Sequence, residues 1–230
     1  MGVMVRLHTT LLFTLLAVVL GTQGCSSARN RDEPGAMSLL SFRDSATADY
    51  LSGSYRTGSL YLDFRPALIV DALLEDARYQ AHYLQSLGTH YMLPPEDLNR
   101  MRSEFEERFA TQVNLLVFLY EGRNDRSRLT PQEEALWRLM LRDDDGTLRT
   151  PLTIARIKED SVNYAYLSKY FDGLDRWSHV YRVSFAKLSK GTLKLKLGEN
   201  PFELIITGVK GTVILRWPDV NRFYASEIPP

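Results

Sequence analysis

Val113-Asn114-Leu115-Leu116-Val117-Phe118-Leu119-Tyr120 is an apolar run of strand length, rich in β-formers and followed by the loop residues Glu121-Gly122-Arg123-Asn124-Asp125. It predicts a strand in the middle of a sheet. The chain downstream has the same character, with runs at Val180 to Phe185, Thr192 to Leu197, Phe202 to Thr207 and Thr212 to Trp217. Lys-Gly, Gly-Glu-Asn-Pro and Val-Lys-Gly turns separate them. Leu136 to Arg142 and Leu148 to Ile157 flank Asp143-Asp144-Asp145-Gly146, and an Asp-Gly pair between apolar runs signals a hairpin. Short strands at this spacing suggest a meander closing an antiparallel sandwich, so residues 112–230 read as mainly β.

Upstream the period changes. Val70, Leu73, Leu74, Ala77, Ala81, Leu84 and Leu87 recur at three- and four-residue spacing, the apolar stripe of a long helix running from Pro66 and ended by Gly88 or Pro94. Pro94-Pro95-Glu96-Asp97 then places proline at a helix start and acids in its first turn, where the dipole favours them, and Leu98, Met101, Phe105 and Phe109 continue the stripe. Together these predict a helical hairpin over about 66–111. Its acids, Asp71, Glu75, Asp76, Glu96, Asp97, Glu104, Glu106 and Glu107, outnumber Arg78, Arg100, Arg102 and Arg108 and predict an acidic outward face. Before it, Leu60, Leu62 and Phe64 alternate as a first strand would. The expected fold class is α+β, an antiparallel β-sandwich with a helical hairpin inserted after its first strand.

At the N-terminus a short segment containing Arg6 precedes the apolar run Leu11 to Leu20, which is shorter than the roughly 20 residues of a transmembrane helix. A basic start, a short apolar stretch and small residues after it describe a secretory signal peptide, and Gly21 breaks its helix. Thr22-Gln23-Gly24-Cys25-Ser26-Ser27 follows. This segment resembles the lipobox of bacterial lipoprotein precursors through Gly24 and Cys25, while Thr22 stands where Leu is usual and Gln23 where a small residue is usual. The resemblance implies lipidation of Cys25, which becomes the mature N-terminus, and Ser26 rather than Asp after it implies release to the outer membrane. A diacylglyceryl group and an N-acyl chain together would give the two signals that stable anchoring takes. The alternative is a spectator thiol behind an ordinary cleavage site. Against it, Cys25 is the only cysteine of a chain addressed to a compartment where disulfides form.

The expected organisation is therefore a signal peptide over 1–24, a lipidated Cys25 with a polar, turn-rich tether over 25–37, and a globular domain over 38–230. Removing the signal peptide leaves 206 residues, enough for a well-filled core without disulfide or metal staples. The mature chain carries a net charge of −1, which argues against a nucleic-acid partner, since such partners generally need a concentrated basic surface.

Sequence support for chemistry is thin. The aspartates at 143 to 145 invite a calcium loop, but the positions that would need an acid and a Glu, 141 and 152, are both Leu. Turn geometry explains them better. The chain lacks a Gly-rich phosphate loop, a Gly-x-Ser-x-Gly elbow and a His-Glu-x-x-His motif. His82 and His90 are eight residues apart, too far along a regular helix to chelate one ion, and His179 follows Asp175 by four residues. No metal and no cofactor is expected.

Two surfaces suggest binding instead. Tyr164, Tyr166, Tyr170, Phe171, Trp177, Tyr181 and Phe185 fall within 22 residues. Rings at Tyr166, Tyr170, Trp177 and Tyr181 could line a groove for a sugar, peptide or acyl chain, or could simply fill the core. Residues 179–230 are basic, and the alternation in Leu193-Lys194-Leu195-Lys196-Leu197 sets both lysines on one side of a strand, facing an anionic partner or only solvent. The functional expectation is a non-enzymatic envelope lipoprotein that binds or scaffolds a protein or another envelope component, with the membrane as partner through its lipid. A hydrolase working near Asp175 and His179, and a lipid carrier, are the alternatives.

Overall fold

The computed structural model describes residues 28–30, 38–121, 129, 136–174, 179–187 and 201–218. Cys25, Asp175, Trp177 and the run Thr192 to Leu197, with Lys194 and Lys196, lie outside the described residues.

The strands are β1 (Ala28–Asn30), β2 (Ser41–Phe42), β3 (Tyr55–Leu62), β4 (Arg65–Leu74), β5 (Gln112–Tyr120), β6 (Trp137–Arg142), β7 (Leu148–Arg149), β8 (Thr153–Arg156), β9 (Phe171–Asp172), β10 (His179–Ala186), β11 (Phe202–Gly208) and β12 (Gly211–Trp217). The helices are α1 (Ser45–Leu51), α2 (Ala77–Tyr91), α3 (Pro95–Thr111) and α4 (Val162–Tyr170). The larger sheet runs β1-β3-β4-β5-β10-β8, the smaller β12-β11-β6-β7, and β2 pairs with β9 as a short clasp. All described pairings are antiparallel.

Alternation along each strand divides the larger sheet into two faces. Leu68, Val70, Ala72 and Leu74 of β4, Val113, Leu115, Val117 and Leu119 of β5, and Tyr181, Val183 and Phe185 of β10 face the smaller sheet. There they meet Leu139 and Leu141, Phe202, Leu204 and Ile206, and Val213, Leu215 and Trp217. Leu73, Leu116, Phe118 and Val180 face the other way and are covered by α1, α2, α3 and α4 through Leu51, Tyr79, Tyr83, Leu84, Leu87, Phe105, Tyr166 and Leu167. The molecule is α+β: a β-sandwich whose larger sheet carries a helical layer on its outer face. β5, flanked by β4 and β10 and covered on both faces, is buried from Val113 to Leu119, which is why its sequence reads as a continuous apolar run.

The hairpin of α2 and α3 is inserted between β4 and β5, after the first β-hairpin and not after a single strand. It begins at Ala77, not near 66, because Arg65–Leu74 is a ten-residue strand. Val70, Leu73 and Leu74 fit the helical stripe, yet Val70 and Leu74 face the smaller sheet while Leu73 faces the helices. The acidic face shrinks accordingly. Asp71, Glu75 and Asp76 are buried in or just after β4, while Glu96, Glu104, Glu106 and Glu107 are exposed on α3.

Two further boundaries differ from expectation. Ala28–Asn30, placed in the tether, pairs with Gly58 to Leu60 of β3, because the outer edge of β3 offers a row of backbone groups to any extended neighbour. The run Leu148 to Ile157 is split: β7 joins β6 in the smaller sheet and β8 joins β10 in the larger, with Pro151, which has no N–H to give a ladder, between them.

Candidate functional site

Polar groups are concentrated where the larger sheet meets the helices. β4 ends in Leu74-Glu75-Asp76, and this exit places two acids in the interior at the start of α2. Asp76 caps α2, accepting the Tyr79 amide at 2.8 Å, and takes a very short hydrogen bond from the Ser54 hydroxyl. Glu75 faces Arg182 of β10, whose guanidinium donates from Nε at 3.0 Å and Nη2 at 2.8 Å to Oε1. The Glu75 side chain is 4% exposed and that of Arg182 23%, so the pair is held in a low-dielectric setting with one edge toward water. Glu75, through its charge and its hydrogen bonds, holds the Arg182 guanidinium above its ordinary range against the opposing effect of burial.

Rings pack around this pair. Residues 79 and 83 of α2 are one helical turn apart and lie on the same face. Tyr79 and Tyr83 stack with centroids 6.1 Å apart, and Tyr166 of α4 meets them edge-on at 5.7 and 4.8 Å. The Tyr83 hydroxyl donates to Asn163 Oδ1 at 2.8 Å. His82 lies on the adjoining face of α2, half-buried among Tyr50, Tyr166 and Tyr170, with its ring centroid 4.6 Å from that of Tyr170. Its Nδ1 is 2.7 Å from the Tyr166 hydroxyl.

These environments limit the chemistry. Burial lowers the His82 pKa and so favours the neutral imidazole, whose Nδ1 can accept the Tyr166 proton in a hydrogen bond. Burial also raises the Tyr166 and Tyr79 phenols well above the usual range. Neither phenol ionises near neutrality, so neither supplies a phenolate nucleophile or base. The half-buried residues Tyr50, His82 and Tyr170, whose rings adjoin, and Asn163 beside Tyr83 are the edges of the cluster from which a polar partner could be hydrogen-bonded.

The sequence-nominated residues are only partly united. Tyr166 and Tyr170 share this cluster, with centroids 4.9 Å apart. Tyr181 faces the opposite side of the larger sheet, in the core between the sheets, because it alternates with Val180 and Arg182 along β10. His179 begins β10 and stacks edge-on against Tyr181 at 6.5 Å. His90 is exposed on α2 beside Lys169 of α4. Asp143 meets Arg149 across the β6–β7 turn at 2.6 Å, and Asp145 accepts the Thr147 amide at 2.9 Å, so both serve the hairpin. Among the described residues no group of His, Cys, Asp or Glu could hold a metal ion, and no helix is long and apolar enough to cross a membrane.

Glu75, Arg182 and His82 complete the cluster, and sequence offers little sign of them as a group. Glu75 and Arg182 are 107 residues apart, and His82 meets Tyr166 across 84. The one local signal is the pair of acids closing an apolar strand, since an acid there can serve as a helix cap or as a buried ion-pair partner. Here Asp76 is the first and Glu75 the second. Comparison of the chain with family models, with curated proteins and with solved structures finds no match in any of the three.

Proposed function

We propose that this chain is an envelope lipoprotein, held to the membrane by lipid on Cys25, whose β-sandwich binds or scaffolds a protein or envelope component without catalysing a reaction. The observation that carries the reading is how the acids of the helix–sheet layer are used. Asp71 receives the Ser38 hydroxyl and the amides of Leu39 and Leu40, Asp76 caps α2, and Glu75 holds Arg182. Each of these acids bonds to its own fold, an arrangement suited to building a rigid surface. The lipobox resemblance at Gly24-Cys25 supplies the address.

The test is intact mass and membrane fractionation of the expressed chain beside a Cys25→Ala variant. The reading expects the wild type to gain the mass of a lipidated chain starting at residue 25 and to sediment with membranes, while the variant does neither. Identical soluble behaviour of the two would overturn the anchor. With the anchor in place, site-directed crosslinking from the half-buried edges of the cluster, at Tyr50 and at Asn163, is expected to capture a defined envelope component. A purified chain that hydrolyses envelope substrates would overturn the non-catalytic half.

A further inference from the structure

Two hairpin tips at one end of the sandwich carry large apolar side chains into solvent. Phe64, between β3 and β4, is fully exposed at 103%, and Val209, between β11 and β12, is 93% exposed. Phe64 is also strained. Asp63 and Phe64 form a two-residue turn with φ of 48° and 60°, a left-handed pair that Asn-Gly or Asp-Gly ordinarily supplies. Asp tolerates that region, but a bulky aromatic in it is an outlier. A Phe that is both strained and uncovered gives the fold nothing, and strain of this kind collects at sites of contact with ligands.

The two tips are neighbours. β12 runs beside β3, with Trp217 Nε1 donating to the Ser54 carbonyl at 3.0 Å near one end. At the other end Gly211 lies against Leu60, where a Cβ would sit 3.0 Å from both methyl groups. The 63–64 and 209–210 turns therefore leave the molecule at the same end. Arg65 follows Phe64 and Lys210 follows Val209, against the single acid Asp63, so the apolar points have a basic flank.

The chain enters the fold at this same end. β1 runs antiparallel to β3 with Ala28 opposite Leu60 and Asn30 opposite Gly58, so the Ala28 end of β1 is the end nearer the Asp63–Phe64 turn. Cys25 precedes Ala28 by three residues, a reach of at most about 10 Å. We propose that the Phe64 and Val209 tips dock on the phospholipid bilayer that holds the Cys25 lipid, setting the domain upright with its β3–β4 and β11–β12 turns in the headgroup layer. An aromatic and an aliphatic side chain flanked by Arg and Lys suit the boundary between anionic headgroups and acyl chains. Lipid and tips then act as several contacts on one surface, and each strengthens the others by proximity. The proposal rests on the anchored reading for its geometry, but the tips can be tested without it.

In the lipidated full chain the Cys25 thiol is blocked, so a new cysteine can be labelled alone. Phe64→Cys, Val209→Cys and, at the opposite end, Ser52→Cys are each labelled with an NBD fluorophore in vesicles of phosphatidylethanolamine and phosphatidylglycerol at 3:1. The expected result is blue-shifted emission, with quenching by nitroxide-bearing lipid, at 64 and 209 but not at 52. Equal behaviour at all three positions, or tips quenched by aqueous iodide as fully as without vesicles, overturns the proposal and leaves the anchor standing. A shift that needs added envelope protein overturns it in favour of a protein occupant.

If mass shows that Cys25 carries no lipid, the anchored reading falls and the tips are judged separately. The full chain with Cys25→Ser, added to the same vesicles, should then partition about tenfold more strongly than a variant that also carries Phe64→Ser and Val209→Ser. Equal partitioning overturns the tips as well. Those two substitutions are on exposed turns, and unchanged thermal unfolding of the variant confirms that it is folded.

Discussion

Asp71 is fully buried on the helix-facing side of β4, where Leu39 and Leu40 donate their amides at 2.8 and 3.1 Å and the Ser38 hydroxyl donates at 3.0 Å. One carboxylate thus ties the incoming segment to the sheet. Burial raises its pKa despite these bonds. A carboxyl with a raised folded pKa binds more protons folded than unfolded, so its contribution to stability is present at low pH and is lost as pH rises through the folded value. Asp71→Asn removes that loss, and relative to wild type the variant is expected to become more stable from pH 4 to pH 7. Urea unfolding at both values measures it; a stability difference that moves the other way would mean that the amide bonds outweigh desolvation. The Glu75–Arg182 pair behaves differently, since removing one partner strands a charge in the interior. Arg182→Met is expected to cost about 3 kcal/mol, and Glu75→Gln added to it to recover part of the loss, because well-packed uncharged replacements of a buried pair are often tolerated. Chemical denaturation of the single and double variants gives the coupling.

Among the elements, the two-residue clasp of β2 and β9 is the most exacting. Ser41 pairs with Asp172 and Phe42 with Phe171, and Arg43 donates its amide to the Tyr170 carbonyl at 3.0 Å. The clasp depends on Gly173, whose φ is +92° and where a Cβ would sit 2.0 Å from the Leu39 carbonyl oxygen. Gly173→Ala is therefore expected to destabilise by about 2 to 3 kcal/mol, combining left-handed strain with backbone displacement. Thermal unfolding checks it, and a loss below about 0.5 kcal/mol would mean that the clasp yields freely. The same scale explains which elements were legible. β5, β6, β10, β11 and β12 carry strong β patterns closed by turn formers, and α3 announces itself with Pro95, Glu96 and Asp97. β4 and α2 read as one helix because a strand buried on both faces is apolar at most positions, here all from Pro66 to Leu74 but Asp71, and so fits a helical period as well as a strand's. α1 and α4 carry little periodic signal although Asp44 and Ser161 cap them, since both are short, α1 offering only Ala46, Ala48, Tyr50 and Leu51 and α4 drawing half of its apolar residues from tyrosine.

For the whole molecule the decisive feature is that the larger sheet serves two cores at once. Leu115 packs toward the smaller sheet and its neighbour Leu116 toward the helices, both fully buried. Neither layer can leave without exposing this sheet, so the two are expected to unfold together. Leu115→Ala and Leu116→Ala should each cost about 3 kcal/mol. Native-state hydrogen exchange should find the slowest amides on β5, opening only with global unfolding, and slower exchange in α2 or β11 than in β5 would refute the shared-sheet account. The candidate cluster is also a product of this layering. Tyr166 and Tyr170 of one nominated group belong to the helix side and Tyr181 to the inter-sheet side, a division set by sheet face and not by nearness in sequence.

Local pattern by itself determined the α+β class, the strands with clear alternation or apolar runs, the turn at Asp143–Gly146 and the presence of a helical hairpin, because each depends on side-chain period and turn chemistry within a few residues. The lipobox resemblance, which carries the proposed anchor, is likewise local, resting on Gly24 and Cys25 within one short segment. Only the tertiary structure decided that Glu75 meets Arg182, that His82 meets Tyr166, and that Ala28, Phe64 and Val209 converge on one end of the sandwich. Those relations join residues far apart along the chain. They are fixed by strand order and register, which periodicity cannot supply because many orders of the same strands bury the same apolar faces.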